Sequence, residues 1–310
     1  MWKVAGLSRT KSAWMIAALV LIWGLSWPIY KVALMDTPPV LFAGMRCFLG
    51  GIFMLMLALP RWHALRWRQC WRVYVISGVF NAVLFFALQT IGLQYLPSGL
   101  FSVIVYLQPV LVGLLAWMWL GEPMTVLKLI GLVLGFLGVA CISAESLSGH
   151  LSVAGILFAL GSAISWALGA VYVKKVGDRV DGLWLVAVQF TWGGLATTLY
   201  GLLTERWSDI QFAHGQYWFG LAYGALLGVS AAWLLYFRLV QAGDASKVAS
   251  FTFLVPLLSV VTGTLALHEP ITVNLLVGIV LIVASIYLVN RRTRPKHRTP
   301  VAGLEGSSKV

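Results

Sequence analysis

Residues 120–126 read LGEPMTV and residues 267–273 read LHEPITV, and this repeated stretch decides how the chain folds. Each copy follows an apolar run with a proline inside it, Pro109 in the first and Pro256 in the second. Because proline removes a backbone hydrogen bond, each one predicts a kink whose freed carbonyl faces protein or a water-filled cavity. A second apolar run follows each copy, so the repeat predicts two membrane helices joined by a tight turn, twice over.

The two turns contain a Glu-Pro pair. Pro123 and Pro270 stand where a new helix is expected to begin, a position at which a missing N–H costs nothing. Glu122 and Glu269 precede them, beside the positive end of the new helix dipole. This placement predicts that both glutamates cap the helix that follows them.

The composition is that of a membrane protein. The chain is 60% hydrophobic and only 10% charged, with a mean hydropathy of +0.89, which a water-soluble core does not require. A net charge of +12 would suit nucleic acid, but the basic residues cluster between apolar runs, as membrane insertion demands. No nucleic-acid partner and no cofactor is therefore expected. The three cysteines lie far apart without metal-ligand spacing, which predicts small apolar fillers and no metal site.

The hydropathy pattern predicts an all-α polytopic membrane protein with ten spans. We place these spans at roughly 12–33, 39–59, 71–93, 98–120, 124–144, 152–174, 183–203, 216–239, 247–267 and 271–290. Basic residues concentrate before the first span, after the second, sixth and eighth spans and in the tail, so both termini are predicted to be cytoplasmic.

The first two helices recur as well. Residues 23–31 align with residues 166–174, and Arg46 aligns with Gln189. Five helices thus form one copy, and because five is odd the second copy enters the membrane in the opposite direction. The predicted parts are a cytoplasmic segment (1–11), a first five-helix repeat (12–144), a second, inverted repeat (152–290) and a basic, disordered cytoplasmic tail (291–310).

These features together resemble the drug/metabolite transporter superfamily, in particular its bacterial proteins with two EamA domains. The resemblance rests on the spans, the duplication, the WGLSWP sequence at residues 23–28 and the paired Glu-Pro turns, and it extends from residue 14 to residue 290. It implies a transporter of the bacterial inner membrane in which helices one, three, four, six, eight and nine surround a central cavity. Similar members export amino acids and other small metabolites, whereas relatives carry sugars, nucleotide sugars or cationic drugs.

Arg46 is the most informative single residue. A cation inside an apolar helix costs ~2.5–3.5 kcal/mol on insertion scales and usually faces the bundle interior with a partner. One interpretation is that it attracts a substrate carboxylate near the cavity. The other is that it pairs with Asp36 or with backbone carbonyls and only holds helices together.

Aromatic and amide side chains in the spans complete the predicted cavity. Tryptophans usually favour the membrane interface, so those near the bilayer centre suggest a lining whose indole N–H groups need partners. The predicted set is Trp23, Trp27, Arg46, Asn81, Tyr106, Gln108, Trp166 and Gln189. Such a cavity leaves room for substrates with aromatic or bulky apolar side chains.

The same pattern limits the mechanism. The sequence has no aspartate or glutamate near the middle of a predicted span, which disfavours a proton-coupled exporter of cationic drugs. Export of a small polar metabolite, most plausibly an amino acid, is the leading hypothesis, with a multidrug, sugar or organic-acid transporter of the same fold as the alternative. An integral-membrane lipid enzyme would need an acid-rich or His/Glu motif that is absent from the sequence, so no enzyme activity is expected. The expected partners are a small-molecule substrate and the lipid bilayer, and the protein is a monomer or a weak homodimer.

Overall fold

The computed structural model describes residues 8–92, 95–96, 98–142, 152–267 and 273–291, which form helices joined by short links. The helices are α1 (Arg9–Ala33), α2 (Pro39–Ala58), α3 (Trp67–Gly78), α4 (Phe85–Gly92), α5 (Ser98–Val105), α6 (Gln108–Leu120), α7 (Val126–Ile142), α8 (Val153–Val176), α9 (Gly182–Thr204), α10 (Gly215–Tyr223), α11 (Ala232–Ala242), α12 (Ala245–Ser250), α13 (Leu254–Leu267) and α14 (Val273–Asn290). Within these residues, six helical stretches are long and apolar enough to cross a membrane, and shorter apolar helices accompany them. The prediction of an all-helical, polytopic membrane protein is confirmed at this level.

Several helices begin at a polar side chain that accepts backbone hydrogen bonds. Ser8 accepts from Lys11 at the start of α1, and Ser152 accepts from Gly155 at the start of α8. Asp181 accepts from the N–H groups of Leu183 and Trp184 at the start of α9. The first N–H groups of a helix lack intrahelical partners, so these residues set where the helices start.

Two helical stretches contain a π-helical segment. Val79–Leu84 connects α3 to α4, and Gly224–Ala231 connects α10 to α11. Segments of this kind are rare and occur frequently at functional sites. They lie in the third and eighth predicted spans, which are equivalent positions of the two predicted repeats.

The two predicted kinks are breaks between helices. Helix α5 ends at Val105, and Pro109 lies in the first turn of α6. A short 3₁₀ segment, Phe251–Phe253, precedes α13, in which Pro256 is the third residue. Each proline therefore occupies a first turn, where its missing N–H has no partner to lose.

The prediction that Pro123 stands at the first position of a helix is wrong. Helix α7 begins at Val126, and the Thr125 hydroxyl accepts from the N–H of Lys128 at 3.2 Å, as an N-cap does. Pro123 lies three residues earlier, in a non-helical link that follows the left-handed Gly121 (φ 66°). The corresponding Glu269 and Pro270 lie outside the described residues.

Close helix pairs organise the packing. Helix α2 runs along α9, and α7 runs along α14. A Cβ atom on Gly51 would lie 2.3 Å from the backbone nitrogen of Thr191, and one on Gly194 would lie 2.2 Å from that of Phe48. Only glycine permits backbones to approach this closely, so α2 and α9 are held in direct backbone contact.

Candidate functional site

Four aromatic side chains meet in the interior of the bundle. Trp23 of α1, Trp166 of α8, and Trp233 and Tyr236 of α11 have ring centroids 5.5–6.1 Å apart in all six pairings. These distances are typical of favourable edge-to-face and tilted aromatic pairs. We call these four residues the aromatic tetrad, and it brings together two tryptophans that the sequence had predicted to share a cavity.

Two buried polar atoms at the tetrad, one on Trp166 and one on Gln108, lack partners among the described residues. The Trp23 indole N–H donates to the Gly228 carbonyl at 3.2 Å, which lies in the second π-helical segment. The indole N–H of the buried Trp166 has no hydrogen-bond acceptor among the described residues. Gln108 donates to the Tyr236 hydroxyl at 3.1 Å, but its own carbonyl oxygen, also buried, accepts nothing there. An unsatisfied buried polar group costs about 1–3 kcal/mol, so each one requires an explanation.

A second polar pair lies next to Trp166 along α8. The Asn81 amide donates to the Gln189 side-chain carbonyl at 3.5 Å, and both residues are fully buried. The remaining oxygen of Asn81 and the remaining nitrogen of Gln189 have no described partner. The Asn81 amide lies against Gly169, where a Cβ atom would be 2.1 Å away, and Gly169 is one turn from Trp166. The structure thus brings Asn81 and Gln189 together beside the tetrad.

The Arg46 guanidinium is enclosed by aromatic rings. Its central carbon lies 4.3 Å from the centroid of the Tyr30 ring and 5.0 Å from that of Phe86, within the range of cation–π contacts. Among the described residues, its Nε has no hydrogen-bond partner and no carboxylate pairs with it. Phe86 lies 6.4 Å from Trp233, centroid to centroid, and so connects Arg46 to the tetrad.

The alternative that Arg46 pairs with Asp36 is wrong. Asp36 lies in the link between α1 and α2, and its carboxylate is 2.7 Å from Nδ1 of His214. The Asp36 carbonyl also accepts from the Gln211 N–H at 2.8 Å, which fixes that link against residues after α9. Arg46 lies two turns inside α2, roughly 11 Å along the helix from its start, and no ion pair joins it to Asp36.

Glu122 caps a distant helix, not the one that follows it. Its carboxylate accepts from the Ala245 N–H at 2.7 Å and from the Ser246 hydroxyl at 2.8 Å, at the start of α12. Lys174 of α8 donates to the same carboxylate at 2.8 Å, and the ammonium of Lys128 lies 3.7 Å from it. The prediction of a local cap for α7 is wrong, because the hydrogen bonds of the Glu122 carboxylate go to Lys174, Ala245 and Ser246, and the Thr125 hydroxyl caps α7.

Opposing effects act on ionisation of the Glu122 carboxyl. Burial raises its pKa, but the hydrogen bonds from Lys174, Ala245 and Ser246 outweigh burial, so the pKa lies below its ordinary value. The group is ionised at neutral pH.

Other predicted residues lie elsewhere, and some that matter were missed. Tyr106 is buried in an apolar cluster with Val103 and Phe253, against which Trp23 also packs. Trp27 belongs to α1, and its side chain lies outside the described part of the chain. Trp233 and Tyr236 had not been predicted, although two aromatics three residues apart in a span share a helix face. In the part of the chain that the structure describes, no cluster of His, Cys, Asp and Glu could hold a metal ion.

Comparison with known proteins identifies similar membrane transporters. The EamA-like transporter family model matches residues 10–144 and again residues 153–291. The chain is 51% identical over 288 residues to the uncharacterized transporter YvbV of Bacillus subtilis, covering 93% of this chain and 94% of that protein. It is 24% identical to a probable amino-acid metabolite efflux pump of Escherichia coli, covering 87% and 91% of the two chains.

The fold also has a counterpart among solved structures. One crystal structure superposes with a TM-score of 0.80 at 20% sequence identity, covering 91% of this chain and 97% of the other. At this identity the similarity speaks for the fold alone.

Proposed function

The chain belongs to the EamA-like transporter family, and we propose that it is a secondary transporter that exports a small zwitterionic or anionic metabolite, most plausibly an amino acid. The observation that carries this proposal is Arg46, a cation without a described carboxylate partner, placed beside a buried aromatic cluster. A substrate carboxylate would complete its hydrogen bonding with the charge-assisted geometry that guanidinium favours.

The aromatic tetrad supports a substrate with an apolar body. Its rings pack on one another, so a substrate would enter by replacing ring–ring contacts with ring–substrate contacts of similar energy. Aromatic or bulky apolar side chains suit such a lining. The unpaired N–H of Trp166 and the unpaired carbonyl of Gln108 are a donor and an acceptor for the polar end of a substrate.

The proposed architecture is ten membrane spans in two inverted repeats that rock about a midplane site, with both termini in the cytoplasm of a bacterial cell. Contacts between α2 and α9 support the inversion. Gly51 meets Thr191, and Gly194, its repeat equivalent, meets Phe48, the repeat equivalent of Thr191. A reciprocal pair of this kind is what a two-fold axis between the repeats would produce.

One competing function is a proton-coupled carrier of drugs or other metabolites with the same fold. The Escherichia coli relative is called a probable amino-acid metabolite efflux pump, a name that mentions neither drugs nor protons. Both buried acidic residues of the described part already have partners: Glu122 is paired with two lysines and two N-terminal residues of α12, and Asp36 is paired with His214. This pairing favours a carrier whose central site recognises a carboxylate over one that attracts cations.

The test compares metabolites inside and outside cells that overproduce the protein, measured by mass spectrometry. Wild type is expected to release one class of amino or organic acids, and Arg46→Gln is expected to release none while inserting normally. Arg68→Gln is the matched control, because Arg68 is exposed at the start of α3. Equal release by wild type and Arg46→Gln would refute a substrate role for Arg46, and no release by wild type would refute export of these metabolites.

A further inference from the structure

Glu122 joins three helices that are distant in sequence. The residue follows α6 in the first half of the chain, whereas its partners Lys174 and Ala245–Ser246 belong to α8 and α12 in the second half. Lys174 also donates to the carbonyl of Gly243, at the end of α11. Only 8% of the Glu122 surface is exposed, so this residue lies inside the contact between α8, α12 and the α6–α7 link.

We infer that the contacts of Glu122 keep one face of the transporter closed, and we call these contacts the lock. The Glu122 carboxylate holds α8 and α12 against the α6–α7 link, and that face opens only when these bonds are released. Glu122 is thus a positioning residue that need not touch the substrate. The inference rests on the proposed alternation of access between the two faces. By the predicted orientation this face is the cytoplasmic one.

The opposite face has a chemically similar contact that is built differently. Glu205 follows α9, and its carboxylate accepts from the N–H groups of Val40 at 3.0 Å and Leu41 at 2.8 Å at the start of α2. Each half therefore supplies a glutamate that caps a helix of the other half. Glu205, however, joins two helices that already lie in backbone contact along their length, and no described lysine pairs with it. Its loss would not free a separate element, whereas the loss of Glu122 would release α12.

The charges around Glu122 determine how the lock can be released. Lys174 faces it from α8 and Lys128 from α7, while Asp244 and Lys247, which pair with each other at 2.9 Å, flank it on the α12 side. Neutralising the Glu122 carboxylate would break the ion pairs of both lysines and leave Asp244, which pairs with Lys247, as a remaining negative charge acting on them, so loss of the charge is unfavourable. The lock is therefore expected to open by movement of α12 at neutral pH, without protonation of Glu122.

The experiment measures the exposure of a residue behind the lock. Ala249 lies one turn further along α12 and is fully buried, so it is changed to cysteine after Cys47, Cys70 and Cys141 have been changed to alanine. The protein is purified in detergent, where both faces are accessible, and the rate of maleimide labelling is recorded. Glu122→Gln is expected to label at least tenfold faster than the parent, and Glu205→Gln is the matched control that is expected to label at the parent's rate.

Two outcomes overturn the inference: labelling of Glu122→Gln at the parent's rate, or equal acceleration by Glu205→Gln, which would mean general loosening. Lys174→Met retains the cap and removes one ion pair, so it tests the lock if Glu122→Gln does not fold, and the parent's rate in that variant also contradicts the lock. Helical content and elution as a single species confirm folding. Labelling requires no substrate, so the lock and the proposed substrate class succeed or fail separately.

Discussion

Replacing Gly194 with alanine should separate α2 from α9. The added Cβ would lie 2.2 Å from the nitrogen of Phe48, 2.6 Å from its Cα and 2.7 Å from the carbonyl carbon of Cys47. All three atoms belong to the backbone, so no side-chain rotation can make room. Since an ordinary contact begins near 3.4 Å, the helices must part by roughly 1 Å at this point.

The expected change in the free energy of unfolding follows from two opposing effects. Overpacking of a well-packed interior costs about 1–3 kcal/mol, and a rigid backbone obstacle favours the upper part of that range. Alanine regains about 1 kcal/mol of helix propensity relative to glycine. We therefore expect Gly194→Ala to lower the free energy of unfolding by about 2 kcal/mol, and Gly51→Ala, its repeat equivalent, to behave alike.

The assay is reversible unfolding in mixed micelles, followed by circular dichroism. Gly182→Ala is the matched control, because Gly182 is the first residue of α9 and no atom in the described part of the chain lies within 4 Å of an added Cβ there. It should unfold at the wild-type denaturant concentration or above it. If Gly194→Ala unfolds at the same denaturant concentration as Gly182→Ala, the backbone contact between α2 and α9 is not as described.

Three further changes test other parts of the structure. Trp166→Phe removes a buried N–H donor that has no described partner, so the free energy of unfolding should stay within about 1 kcal/mol of wild type. The KM for transport should rise about tenfold, and an unchanged KM would exclude a hydrogen bond from the indole to the substrate. Gly121→Ala should lower the free energy of chemical unfolding by about 1 kcal/mol, since φ is 66° and no atom of the described residues obstructs the Cβ, and Gly121→Asn should lower it less. Folding lowers the pKa of the Glu122 carboxyl, so the stabilisation by its charge is complete above the unfolded pKa of about 4.3 and is lost as the pH falls through the lower folded pKa. The thermal stabilities of wild type and Glu122→Gln should therefore differ by a constant amount from about pH 6 to pH 8, and the difference should shrink in acid.

Local patterns predicted the class of the fold well. Apolar runs of membrane length, basic links and a duplicated Glu-Pro turn indicated a helical, polytopic transporter, and the family match confirms the recognition. These signals are short-range, so a single sequence contains them in full. Interruptions at Pro109 and Pro256 were predicted for the same reason, because proline acts on its own backbone, but as kinks inside single helices and not as the helix boundaries that the structure shows.

The contacts between distant residues could not be predicted in this way. Glu122 was expected to cap α7, yet it bonds to Ala245, more than a hundred residues away in sequence. The pairing of Asp36 with His214, in place of Arg46, likewise depends on where two links meet in space. The predicted cavity residues were chosen by polarity at membrane depth, a criterion that found Trp23 and Trp166 but passed over Trp233 and Tyr236, which look like ordinary apolar filling in sequence.

The most direct test of the account is counterflow in proteoliposomes with paired competitors: an amino acid and the amine that remains when its carboxylate is removed, such as phenylalanine and phenylethylamine. If Arg46 binds the carboxylate, wild type should prefer the amino acid by at least about tenfold, equivalent to about 1.4 kcal/mol, and Arg46→Gln should lose that preference while Arg68→Gln keeps it. Equal competition by the amine in wild type, or an undiminished preference in Arg46→Gln, would contradict carboxylate recognition at this site.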